Sequence, residues 1–83
     1  MKVLKFYSKT CGPCKVLEKN LQVADIPHEN VDIQSTEGYA IAIKYEVRTV
    51  PTLLLVDNEG NIVKRRNGLL NVQELKEFCN EIN

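Results

Sequence analysis

The chain has no excess of either charge: eleven lysines and arginines stand against eleven aspartates and glutamates. Nothing in that balance points to nucleic acid, which selects proteins with a strong basic excess. Long apolar runs are missing too. Leu53-Leu54-Leu55-Val56 is far too short to span a bilayer, and Met1 leads straight into a strand pattern without the cationic and apolar leader of an export signal. The expectation is a cytoplasmic protein with neither a membrane nor nucleic acid among its partners. Cysteine is scarce. Three residues are too few for a disulfide scaffold, and in a reducing compartment a close pair is catalytic or metal-binding more often than structural. Repeats, low-complexity tracts and linkers are absent, and 83 residues leave no room for a second domain, so residues 1–83 read as one domain. A chain of this size buries roughly 60–65% of its unfolded surface and has modest stability.

What is present is clear patterning. Val3 to Tyr7 has the β-branched and aromatic continuity of a buried strand, interrupted by Lys5. From Cys11 to Ala24, the residues Cys14, Leu17, Leu21 and Ala24 recur at helical steps, with Lys15, Glu18, Lys19 and Gln22 opposite. Ile26-Pro27 ends that helix, and His28 to Asp32 reads as a short polar strand. Ser35 or Thr36 can cap a second helix running through Tyr45. Leu53 to Val56 is wholly apolar and must be covered on both faces, which makes it central. Asp57-Asn58-Glu59-Gly60 turns the chain into Asn61 to Arg66, an antiparallel and more polar edge strand. Lys64-Arg65-Arg66 on that strand reads as a solvated side that discourages aggregation. Asn71 and Glu74 form a capping-box pair before an apolar stripe of Leu75, Phe78, Cys79 and Ile82. The order β-α-β-α-β-β-α implies an α/β fold with a four-stranded mixed sheet and three helices, the first two strands joined by a right-handed crossover.

Unusual chemistry is concentrated in Cys11-Gly12-Pro13-Cys14, at the junction of the first strand and the first helix. Cysteines three apart share one face of a helical turn and can open and close a disulfide with little backbone movement. At the helix start, unpaired N–H groups and the positive end of the dipole stabilise a thiolate, which makes Cys11 the nucleophile. Pro13 costs little in the first turn, where its missing N–H has no helical partner, and it stiffens the loop between the sulfurs. Residues 1–20 carry five lysines against Glu18 alone, so the surroundings are electropositive. That field should lower the Cys11 thiol pKa and favour anionic partners, although solvated surface lysines account for most of the excess equally well. Two other uses of such a pair are weaker. Haem attachment wants a histidine directly after the second cysteine, where Lys15 stands, and zinc wants a second nearby pair, for which only Cys79 and His28 are available without the usual spacing. Cys79 reads instead as core packing, and His28, alone after Pro27, as an ordinary histidine.

Phe6, Cys11-Gly12-Pro13-Cys14-Lys15, Tyr45, Val50-Pro51-Thr52 before the apolar strand, Gly68, and Leu75-Lys76-Glu77-Phe78 together resemble the thioredoxin family over nearly the whole chain. The core without the additional amino-terminal strand and helix of full-length thioredoxins is also the core of glutaredoxins. The resemblance implies a thioredoxin-like fold in which Cys11 attacks a target disulfide and Cys14 resolves the mixed disulfide. It also implies that Pro51 is cis beside them, that Val50 pairs its backbone with the substrate, and that Gly68 keeps the groove open. The sequence departs from the family twice. Thr10 replaces the tryptophan usual before the first cysteine, which removes an apolar contact from the rim of the groove. Lys5 replaces the buried aspartate usual six residues before that cysteine. It acts either as a modulator of the thiol pKa or as a snorkelling side chain with its charge in water.

The expected function is reduction of protein disulfides by dithiol exchange, in an electron-transport role serving cell redox homeostasis. The redox-active disulfide Cys11–Cys14 is the only redox group, with no cofactor and no metal. The expected partners of this monomer are disulfide-containing proteins and, as electron donor, a thioredoxin reductase or glutathione. Two alternatives remain at this stage: a glutathione-linked, glutaredoxin-like reductase, and a thioredoxin-fold binding subunit without redox turnover.

Overall fold

In a computed structural model, which describes residues 1–82, the chain runs β1 (Lys2–Tyr7), α1 (Gly12–Val23), β2 (Glu29–Asp32), α2 (Thr36–Lys44), β3 (Thr52–Val56), β4 (Ile62–Asn67) and α3 (Val72–Phe78). The sheet has the order β2-β1-β3-β4. β1 and β2 are parallel, while β1–β3 and β3–β4 are antiparallel. This is the expected four-stranded mixed sheet with three helices.

Alternation along the two central strands sorts the core into two layers. Val3, Leu53 and Leu55 face one side and pack with Leu17 and Leu21 of α1 and Leu75 and Phe78 of α3. Leu4, Phe6, Leu54 and Val56 face the other and pack with Val31 and Ala42. β3 is buried at every position, so its all-apolar composition follows from helices on both faces.

Local chemistry sets the element ends. Ser35 Oγ accepts the Gly38 N–H at 2.9 Å, making Ser35 the cap of α2. Asn71 and Glu74 form the full capping box of α3. Gly60 takes φ +85° at the hairpin turn, where Asp57 Oδ1 accepts from the backbone of Glu59 and Asn61. The last helix differs from the expected stripe. Its α-helical part ends at Phe78 and Cys79–Ile82 continue as a 3-10 turn, so Cys79 is half-buried against the core rather than within it. The Ile82 side chain lies outside the described residues.

The basic run on β4 is more than a solvated edge. Arg65 donates to the carbonyls of Tyr45 and Glu46, satisfying groups that the end of α2 leaves without helical partners. Arg66 pairs with Glu74 of α3 at 3.6 Å. Among the described residues, no helix is long and apolar enough to cross a membrane.

Gly38 is the tightest point of the α2 layer. A Cβ there would collide with the Asp32 backbone carbonyl at the end of β2, and backbone cannot swing aside as a side chain tip can. Gly38→Ala should therefore lower stability by about 1–3 kcal/mol despite alanine's better helix propensity. Urea unfolding should show a lower midpoint, and an unchanged midpoint would mean that α2 shifts freely on β2.

Candidate active site

Strand directions gather the reactive residues at one end of the sheet. β1 runs toward the Ser8–Thr10 turn and Cys11. β3, antiparallel to it, begins where β1 ends, with Thr52 opposite Phe6. Pro51 precedes β3 and therefore lies beside the turn that carries the cysteines. β4 ends at the same edge, with Asn67 opposite Thr52, and the Gly68 N–H donates to the Pro51 carbonyl at 2.8 Å. The Val50–Pro51 bond is cis. Thr52 Oγ1 donates to the Thr49 carbonyl at 2.7 Å, bracing the residues around it.

Cys11 and Cys14 form a disulfide with Cα atoms 5.3 Å apart. Cys11 is the N-cap of α1, its sulfur accepting the Cys14 N–H at 3.1 Å. The sulfurs are unequal: Cys11 is half-buried, whereas Cys14 is 2% exposed beneath the helix. Gly12, Pro13 and Thr10 are exposed around Cys11. Val50 is half-buried and Pro51 buried. Gly68 takes φ +89°, and a Cβ there would meet nothing within 4 Å. Glycine is thus required by the backbone, and a side chain at this position would project into open space next to Pro51.

Lys5 follows neither simple expectation. The alternation that sends Leu4 and Phe6 to the α2 layer sends Lys5, with Val3, to the α1 layer. Its side chain is 5% exposed there, and Nζ donates to Glu18 Oε1 at 2.7 Å. The ammonium is neither in water nor a bare field beside the thiols. His28 joins the same carboxylate, with Nε2 2.9 Å from Oε1 and a side chain 9% exposed. Gln22 donates to Oε2 at 2.9 Å. Burial by itself would raise the Glu18 pKa. Hydrogen bonds from Lys5, His28 and Gln22 overcome that and bring the carboxyl from an ordinary 4.5 to about 2.

Glu18, beside Cys14 in the cleft, and His28, which reaches Glu18 from the start of β2, are the members of this charge cluster that sequence reading left out. One signal for Glu18 was available: it stands four residues after Cys14, on the same side of α1, and flanks the Leu17–Leu21 stripe instead of opposing it. Nothing local marked His28. Cys79 lies outside the cluster, and burial pushes its thiol pKa up, as expected of an inert packing cysteine. Among the described residues, no group of three or more His, Cys, Asp or Glu side chains could hold a metal ion.

The Thioredoxin family profile matches residues 1–81. The chain is 33% identical to mitochondrial thioredoxin of Mus musculus across 96% of its own length, but spans only about half, 50%, of that relative. It is 30% identical to the SPbeta prophage-derived thioredoxin-like protein YosR of Bacillus subtilis (strain 168), covering 99% of both chains. The structure of thioredoxin 1 from Thermosipho africanus TCF52B superposes with a TM-score of 0.78 at 26% identity, over 99% of this chain and 93% of that one.

The half-buried Glu18 carboxylate makes acid stability predictable. Because the folded-state pKa of Glu18 lies below its ordinary value, its stabilisation is complete above about pH 4.5 and is lost as pH falls toward 2. Glu18→Gln should lose about 2–3 kcal/mol at neutral pH, since it leaves Lys5 buried without its counter-charge. The variant should also lose less than the parent between those two pH values. Urea unfolding of both proteins at neutral and acid pH checks this, and parallel pH profiles would contradict it.

Proposed function

The chain belongs to the thioredoxin family, and from that membership and the geometry of its cysteine pair we propose that it reduces protein disulfides by dithiol exchange. The observation that carries this reading is the inequality of the two sulfurs. One is accessible at a helix N-terminus, and the other is shielded behind it yet within bonding reach. In the reduced protein the Cys11 thiolate attacks one sulfur of a partner disulfide. The partner's S–S bond breaks, its other sulfur leaves as a thiolate, and a mixed disulfide forms. Cys14, once deprotonated, attacks Cys11 Sγ, so that the intramolecular disulfide closes and the second partner thiolate departs. The partner has gained two electrons and the Cys11–Cys14 pair has lost them.

Val50, the cis Pro51 and Gly68 border the groove in which an extended partner segment would lie, and Thr10 forms its rim. With threonine at that position, partners gain less apolar contact there than a tryptophan would offer. Gly12-Pro13 between the cysteines supports a thioredoxin reductase over glutathione as the electron donor. A turnover assay decides the donor, and a double variant decides the competing docking role. Turnover of a disulfide-bonded test protein with NADPH and thioredoxin reductase should exceed turnover with NADPH, glutathione and glutathione reductase. A Cys11→Ser, Cys14→Ser double variant that retained the biological role would instead favour a binding subunit.

Alkylation of the reduced protein near neutral pH should modify Cys11 before Cys14, by roughly tenfold or more in rate. Cys14→Ser should accumulate mixed disulfides with partner proteins, and Cys11→Ser should abolish turnover. Peptide mapping by mass spectrometry reads the order of labelling. Equal labelling, or Cys14 first, would sink the assignment of roles.

A further inference from the structure

Cys14, Glu18 and Lys5 line one cleft of about 430 Å³, with Lys9 and Lys15 exposed along it. It opens behind the shielded cysteine, on the α1 side of the sheet. His28 closes the far end of the charge cluster in its floor by bonding to Glu18. A carboxylate next to Cys14 would ordinarily serve as its base. Glu18 is unsuited to that, because a carboxyl held at about 2 has little appetite for a thiol proton that ordinarily leaves near pH 8.5.

The hydrogen bonds define a different role. His28 Nδ1 lies 2.8 Å from the Ile26 carbonyl, and Nε2 lies 2.9 Å from the Glu18 carboxylate. Both facing atoms are acceptors, so only the imidazolium donates at both positions. In that form Lys5 and His28 together carry two positive charges against the one negative charge of Glu18. Among the described residues, the other charged side chains lining the hollow at His28 are Lys2 and Glu29, which pair with each other at 3.2 Å. The Lys2–Glu29 pair cancels, and the Met1 ammonium donates to Asn58 Oδ1 at 3.4 Å.

We propose that His28 is a positioning residue for the dithiol: as imidazolium it gives the largely buried Lys5–Glu18–His28 cluster a residual positive charge behind Cys14 that stabilises the thiolate released when the disulfide opens. This rests on the reading of Cys11–Cys14 as the cycling pair. On opening, two electrons from an attacking dithiol enter the Cys11–Cys14 bond, the bond breaks, and the attacking sulfurs become a disulfide. Cys11 and Cys14 leave as thiolates, and the protons of the attacking dithiol go to solvent. Charge, rather than a base, then holds Cys14 ready to attack. Linkage makes the effect reciprocal. The cluster favours the reduced pair, and the reduced pair favours the imidazolium. Unit charges roughly 10 Å apart at an effective dielectric constant of about 20 shift each other's titration by about one pH unit, and water in the cleft reduces that to about half.

The chain has a single histidine, so its imidazole signals in proton NMR of the untagged protein need no assignment. Titrated from about pH 5 to 9, the midpoint should lie about half a pH unit higher in the dithiol form, made with a phosphine reductant, than in the disulfide form. Coincident midpoints, or an imidazole that does not titrate in either form, would overturn the inference. The second readout is the reduced-to-oxidised ratio in a glutathione redox buffer across the same pH range. The parent should carry an inflection at the imidazole titration that His28→Asn lacks, and superimposable profiles would overturn the inference. If His28→Asn does not fold, the NMR comparison on the parent decides alone. Separated midpoints in a protein that fails to reduce partner disulfides would remove the proposed function and leave the linkage. Coincident midpoints in an active reductase would do the reverse.

Discussion

Burial of β3 on both faces is the constraint from which the rest of the structure follows. Leu53, Leu54, Leu55 and Val56 are at most 3% exposed, and each contributes roughly 1.5–3 kcal/mol by leaving water. A strand with apolar side chains on both sides needs a helical layer on each, and α1 with α3 on one face and α2 on the other supply them. It also needs a neighbour at each edge. β1 and β4 take those places in antiparallel register, and that direction brings the start of β3, with Pro51, to the end of β1, with Cys11.

The same alternation has an electrostatic consequence. Once Leu4 and Phe6 are committed to the α2 layer, Lys5 has no route to solvent and must enter the layer beneath α1. A buried ammonium is tolerable only with a hydrogen-bonded counter-charge. Glu18 supplies it, and Gln22 and His28 satisfy the remaining carboxylate capacity. The strand position that in the resembled family carries a buried carboxylate thus carries the cation, and the carboxylate comes from the helix. Electrostatics behind the shielded cysteine depend on this exchange.

Most of the fold was legible because its signals are local. Helix caps at Ser35 and Asn71, the turn at Gly60 and the apolar run of β3 each depend on contacts within a few residues, and all occur where the pattern places them. The cysteine pair was legible for the same reason. Side chains whose role depends on a distant element were misjudged. Glu18 resembled one more solvated charge of α1, His28 an isolated histidine, and Arg65 a solvated edge residue. Each instead meets a partner ten to twenty residues away.

By itself the sequence determined the element order, the central place of Leu53–Val56 and the position of a reactive cysteine pair at a helix start, because periodicity and spacing act within one or two turns of chain. Tertiary structure alone decided the sheet order, the meeting of Gly68 with Pro51, and the company that Lys5 keeps. These are contacts between segments far apart in sequence, and the burial of a charge selects its partner only after the layers around it have closed.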